Sequence, residues 1–139
     1  HVIGALIKKM HEAREIDSPK IDIWGSGRPR REFIFVDDLV DACVFLMQKF
    51  GGDDTINVGT GVAVSIAELA KLIKEIVGYK GQLVFDRSKA DGMPNKILDS
   101  TPLFNLGWQP QYQLNAGIRI TYESYVKQLK SSTTGRSKP

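Results

Sequence analysis

The sequence predicts an α/β fold, and three observations predict it. Short apolar runs such as Ile21–Trp24 and Leu83–Phe85 alternate with longer stretches whose apolar residues recur every three to four positions. Ser65-Ile66-Ala67-Glu68 spells a capping box immediately ahead of one such stretch. Glycine and proline fall mostly between the runs, where they act as punctuation. Strands alternating with helices in this way build a mixed layer rather than a bundle or a sandwich.

Size and charge narrow the possibilities. A chain of 139 residues suits one domain and can bury an ordinary core. The 19 basic and 16 acidic residues leave a net charge of +3, too small to imply nucleic-acid binding without a localised patch. The single cysteine, Cys43, forms no internal disulfide, so a cytoplasmic setting is the expectation. No run approaches the roughly 18 apolar residues of a membrane span, and charges interrupt the opening HVIGALIKKMHEAR too often for a signal peptide. The chain opens at His1, already inside an amphipathic pattern, and is therefore expected to be part of something longer.

Each element has its own justification. Val2, Ile3, Leu6, Met10 and Ala13 recur at helical spacing, predicting a helix from residue 1 to about 15 that Asp17-Ser18-Pro19 ends. Ile21, Ile23 and Trp24 form a short strand, and Gly25-Ser26-Gly27 turns the chain. The continuous apolar run Phe33-Ile34-Phe35-Val36 predicts a strand buried on both faces. Asp37 or Asp38 then caps a helix to about Lys49, apolar on most of its circumference and deeply buried in the complete molecule. Cys43 within it reads as a small core residue.

Further on, Thr55–Val58 reads as a strand, and the capping box opens a helix with Ile66, Leu69, Ala70, Ile73 and Val77 inward and Gly78 at its exit. Leu83–Phe85 is a strand, Asp86 to Asn95 a polar loop, and Ile97-Leu98 a brief extended piece. Thr101-Pro102 starts a short helix that stops at Gly107. Residues 114 to 129 form a last amphipathic helix with Leu114, Ile118, Tyr122, Tyr125, Val126 and Leu129 inward. One domain over 1–130 and a disordered tail over 131–139 follow, because SSTTGRSKP has almost nothing to bury.

Several residues carry candidate chemistry. Arg28, Arg30 and Arg31 stand beside Gly25 and Gly27, a pattern that suits bidentate contact with phosphate oxygens. The same arginines could instead decorate a solvated turn and pair with Glu32, Asp37 or Asp38. Arg31 is the better functional candidate, since it directly precedes a predicted strand. Trp24 could stack on a base or sugar, or fill core. The loop DRSKADGMPNK offers Lys89, Asp91 and Lys96 to a ligand, or forms an ordinary surface turn. His1 and His11 have no cysteine or further histidine nearby, which argues against zinc. No glycine-rich dinucleotide fingerprint, P-loop or nucleophile elbow occurs.

The order WGSGRPRREFIFVDDLVDA, INVGTG, VSIAELAKLI resembles the C-terminal half of extended short-chain dehydrogenase/reductases acting on nucleotide sugars. HVIGALIKK, GYKGQLVFDRSKADGMPNKILD and LGW narrow the likeness to the GDP-L-fucose synthase family, the GDP-4-keto-6-deoxy-D-mannose epimerase/reductases. It runs in one order from residue 1 to about 129. The resemblance implies a GDP-sugar substrate, NADPH in the full enzyme with none bound to this chain alone, and homo-oligomers formed through a Rossmann half that is absent here. It implies that this chain alone is inactive, lacking the Ser-Tyr-Lys set. A stand-alone nucleotide-sugar-binding or interaction module is the alternative.

Residue by residue, the resemblance makes His1 the general acid of epimerisation, close to the cofactor in the full enzyme. Lys9 contacts the nucleotide, Val2 and Leu6 line the pocket, and Trp24, Arg31, Asp91 and Lys96 match substrate positions, with Arg31 at the diphosphate. Cys43 does not match the family's catalytic cysteine. No metal, nucleic acid or membrane is expected.

Overall fold

The computed structural model describes residues 1–134, in ten elements. They are α1 (Val2–Glu15), β1 (Lys20–Trp24), β2 (Arg30–Glu32), α2 (Val36–Lys49), β3 (Ala63–Ser65), α3 (Ile66–Val77), β4 (Gln82–Asp86), β5 (Asn95–Lys96), α4 (Thr101–Asn105) and α5 (Leu114–Thr134). β1 and β4 run parallel, Trp24 opposite Asp86. The second sheet has the order β3-β2-β5, with β2 antiparallel to β3 and parallel to β5. No described helix is long and apolar enough to cross a membrane.

Periodicity sets the main core. Leu6, Ile7, Met10 and Ala13 recur on one face of α1 and pack with Ile21 and Ile23 of β1, Leu69, Ala70, Ile73 and Val77 of α3, and Ile118 and Tyr122 of α5. Met10, Leu69 and Ile73 are wholly inaccessible, and each such side chain contributes about 1.5–3 kcal/mol by leaving water. Arg14 ties the three helices together, donating from Nη1 to the Val77 carbonyl (2.8 Å) and the Tyr122 hydroxyl (2.9 Å). A smaller cluster joins Ala42 of α2 with Leu103 and Trp108, whose indole donates to Asp41 at 2.8 Å.

The capping box forms as the sequence predicts. The Glu68 amide donates to Ser65 Oγ (3.1 Å), and the Ser65 amide donates back to Glu68 Oε2 (2.7 Å). Gly78 closes α3 in the left-handed conformation, φ 75°. Replacing Ser65 by Ala is expected to lower unfolding free energy by about 1 kcal/mol, measured by urea titration. The Ser65 amide, then its hydroxyl, hold the Glu68 carboxyl below its usual range. A carboxylate lowered in the fold stabilises above its unfolded value and loses that contribution as pH falls through the folded one. Ser65→Ala keeps the amide and removes only the hydroxyl, so the acid limb of the stability curve should flatten only in part.

Several sequence expectations need correction. The strand predicted at Phe33–Val36 lies earlier: β2 is Arg30–Glu32, because only there do β3 and β5 offer partners. Phe33, Ile34 and Phe35 are half-buried linker, and Val36 is exposed. Neither Asp37 nor Asp38 is the N-cap of α2; Phe35 holds that position with no side-chain cap, and both aspartates lie in the first turn. Thr55–Val58 forms no strand, since no described strand lies alongside it. The extended piece expected at Ile97-Leu98 is instead β5, Asn95–Lys96. Cys43 is exposed rather than core. α5 continues to Thr134, beyond the predicted end at 129, so residues 131–134 are helical; the rest of the expected tail, 135–139, lies outside the described residues.

Candidate functional site

The site grows from the end of β1. Alternation buries Ile21 and Ile23 and leaves Trp24 outside, 73% exposed, which overturns a core role for it. Along α1, residues 2, 6 and 9 share a face. Together they border a cavity of about 330 Å³ lined by Val2, Leu6, Lys9 and Trp24, four of the predicted substrate residues. Ala5, Asp22, Ile23 and Ile66 complete the wall, and sequence reasoning did not single them out for this role. The Lys9 ammonium donates to the Asp22 carbonyl at 2.6 Å, which fixes its long side chain across the floor between α1 and β1.

Beyond Trp24 the chain turns through Gly25, φ 86°, and meets the loop after β4. Asp91 accepts from the Ser26 amide (2.5 Å) and the Ser26 hydroxyl (2.6 Å), clasping the two loops together. The Ser26 hydroxyl first, then the amide, hold the Asp91 carboxyl below its usual range. A side chain at position 25 would place its Cβ 2.5 Å from Asp91 Oδ1, so the clasp needs glycine there. Asp91 was predicted to meet substrate; here both of its oxygens already hold Ser26.

The arginine trio divides. Arg30 donates to the Ala63 carbonyl at 2.6 Å and pairs with Glu68 at 3.4 Å, binding β2 to the start of α3. Arg31 makes no ion pair among the described residues; its Nη1 donates to the Arg30 carbonyl at 2.7 Å. Its neighbour across β2–β5 is Lys96, and a Cβ on Gly92 would lie 3.8 Å from its Nη2. Two of the three acids proposed to neutralise the trio are engaged elsewhere. Glu32 accepts from the Gly61 amide (2.5 Å) and the Leu98 amide (3.1 Å), fixing the loops on either side of β2. Asp38 accepts from the Gln111 and Tyr112 amides. Glu32 was missed as a positioning residue, since a glutamate between arginine and phenylalanine carries no spacing signal.

The remaining candidates stand apart. His1 is the exposed N-cap residue of α1, directly before cavity-lining Val2, and makes no side-chain hydrogen bond among the described residues. His11 Nδ1 lies 3.0 Å from the Tyr122 hydroxyl, a packing role within the core helices. Among the described residues no three His, Cys, Asp or Glu gather as a metal site. The residues do not fit a dinucleotide either. The first amides of α3 are taken, Ile66 by the Pro29 carbonyl, Ala67 by the Gly27 carbonyl and Glu68 by Ser65 Oγ, and the junction into α2 is Phe33–Phe35 rather than a glycine turn.

Residues 1–59 match the NAD dependent epimerase/dehydratase family. GDP-L-fucose synthase 1 of Arabidopsis thaliana is 46% identical over 129 residues, 93% of this chain. The chain is a homologue of the GDP-L-fucose synthases. The Escherichia coli K12 GDP-L-fucose synthase is 45% identical over 136 residues, covering 91% of the chain. The chain spans about two fifths of the length of such relatives, 40% and 42% for these two.

Solved structures agree on the fold. A GDP-L-fucose synthetase from Naegleria fowleri superposes with TM-score 0.87 at 26% identity, over 94% of this chain and 40% of that one. A GDP-mannoheptose C4 reductase from Campylobacter jejuni, solved with NADP bound, gives 0.82 at 36% identity over 91% of this chain and 45% of its own.

Proposed function

We propose that the chain is the GDP-sugar-binding part of an NADPH-dependent epimerase/reductase that converts GDP-4-keto-6-deoxy-D-mannose to GDP-L-fucose. One observation carries this reading: Val2, Leu6, Lys9 and Trp24 line a single cavity, and the Ser26–Asp91 clasp connects its Trp24 edge to Arg31 and Lys96. Apolar walls suit the body of a nucleotide sugar, and an arginine without an acidic partner suits its diphosphate. His1, directly before cavity-lining Val2, serves as the acid that returns a proton to the sugar. NADPH supplies hydride when bound to the rest of the enzyme; the residues described here hold the sugar nucleotide.

The exposed face of α2 supports the same reading. Val36, Val40, Val44 and Met47, at 60, 57, 47 and 85% exposure, recur along one side of the helix together with Cys43. A stripe of this kind marks an interface, and we assign it to the cofactor-binding half of the enzyme. The isolated 139-residue chain should then self-associate. Met47→Glu is expected to shift it toward monomer in sedimentation velocity, and an unchanged distribution would remove α2 from the interface.

Calorimetry with GDP, GDP-fucose and a short oligonucleotide tests the substrate. GDP binding supports the proposal, and preference for the oligonucleotide overturns it. NADPH consumption separates the alternative of a non-catalytic module: activity that appears only when the N-terminal half is supplied supports the enzyme, and none in that mixture supports the module. Turnover by this chain alone would show that it needs no other half.

A further inference from the structure

The Lys89 ammonium lies 5.8 Å from the centre of the Trp24 ring. Local structure builds that position. Trp24 and Asp86 are register partners across β1–β4, and the Gly25 amide donates to the Asp86 carbonyl at 2.9 Å. Asp86 then folds the chain back: its Oδ1 accepts from the Ser88 amide (3.0 Å) and hydroxyl (2.6 Å), and its carbonyl accepts from the Lys89 amide (3.2 Å). The turn therefore delivers Lys89 over the indole at the mouth of the cavity.

Charge gives the placement its meaning. Residues 25–31 and 86–96 carry Arg28, Arg30, Arg31, Arg87, Lys89 and Lys96 against two acids, Asp86 and Asp91, and of these cations Arg30 is paired with Glu68. Those acids accept hydrogen bonds from Ser88 and Ser26. The Ser88 hydroxyl, then its amide, hold the Asp86 carboxyl below its usual range, and Lys89 lies close enough to help, yet it makes no ion pair among the described residues. Gly92, beside the Arg31 guanidinium, is three residues on, so Lys89 Cα and Gly92 Cα are within about 11 Å.

We propose that Lys89 is a further ligand for the diphosphate of the bound GDP-sugar, held on the Trp24 face until the ligand takes it. The inference rests on the GDP-sugar reading above. An exposed cation over an aromatic ring is worth a factor of about 2–5, whereas a charge-assisted bond to phosphate is worth a factor of about 10–100. The ammonium thus moves to phosphate when phosphate arrives, and it frees the indole for the ligand's rings.

The test is GDP calorimetry on the full-length protein. Lys89→Gln should weaken GDP about tenfold, Lys89→Arg should restore most of that, and the loss should persist in a Trp24→Phe background. A loss that vanishes in Trp24→Phe would make Lys89 a prop for the indole and overturn the proposal, as would wild-type affinity in Lys89→Gln. Arg31→Ala separates the two levels. If it weakens GDP while Lys89→Gln does not, the Lys89 inference alone fails. If neither variant matters, the GDP-sugar reading fails with it.

Discussion

Arg31→Ala is expected to weaken GDP binding about 10- to 100-fold while leaving the melting temperature nearly unchanged. A charge-assisted hydrogen bond contributes about 1.5–3 kcal/mol, and each 1.4 kcal/mol is tenfold in affinity. The guanidinium offers two parallel donors to a phosphate, so Arg31→Lys should recover only part of the loss. Stability should hardly respond, because among the described residues the side chain's one hydrogen bond is to the carbonyl beside it. Arg30→Ala is the internal control. Its pair with Glu68 is half exposed on both sides, where water screens the charges, so its loss should change stability little and leave GDP affinity as it is. Equal GDP affinity in wild type and Arg31→Ala would remove Arg31 from the site.

Asp38→Ala should destabilise the fold by about 2–5 kcal/mol. The carboxylate is 2% exposed and accepts from the Gln111 amide at 2.9 Å and the Tyr112 amide at 3.0 Å. Removing it leaves two amides without their acceptor, and each buried orphan costs about 1–3 kcal/mol. These bonds fasten the first turn of α2 to the segment entering α5, one turn before Asp41 receives the Trp108 indole. The urea midpoint should fall with the slope unchanged, and Asp38→Asn, keeping one acceptor oxygen, should lose less. A loss under about 0.5 kcal/mol would mean that water replaces the carboxylate.

Much of the fold was legible because it depends on neighbours in sequence. Helical spacing located α1 and α3, and Ser65, Glu68 and Gly78 fixed both ends of α3. The misread elements all depend on distant partners. The apolar run Phe33–Val36 resembles a strand, yet ladder bonds form one step earlier, where β3 and β5 come alongside Arg30–Glu32. Thr55–Val58 has the composition of a strand, but no described strand pairs with it. Asp38 looked like a cap because aspartate at a helix start usually is one; Gln111 and Tyr112, more than 70 residues away, claim it instead.

The site divides in the same way. The sequence by itself determined that Val2, Leu6 and Lys9 share a helix face, that a tryptophan ends the adjacent strand, and that arginines follow a glycine turn, because these are matters of short-range period and spacing. Only the tertiary structure decided that α1 and β1 enclose one cavity, and that Asp91 clasps Ser26. It also left Arg31 without an acid while Arg30 went to Glu68, and set Lys89 over Trp24. Those outcomes join residues up to 65 positions apart. Side-chain pairing over such distances is set by how the elements pack, and no local pattern encodes it.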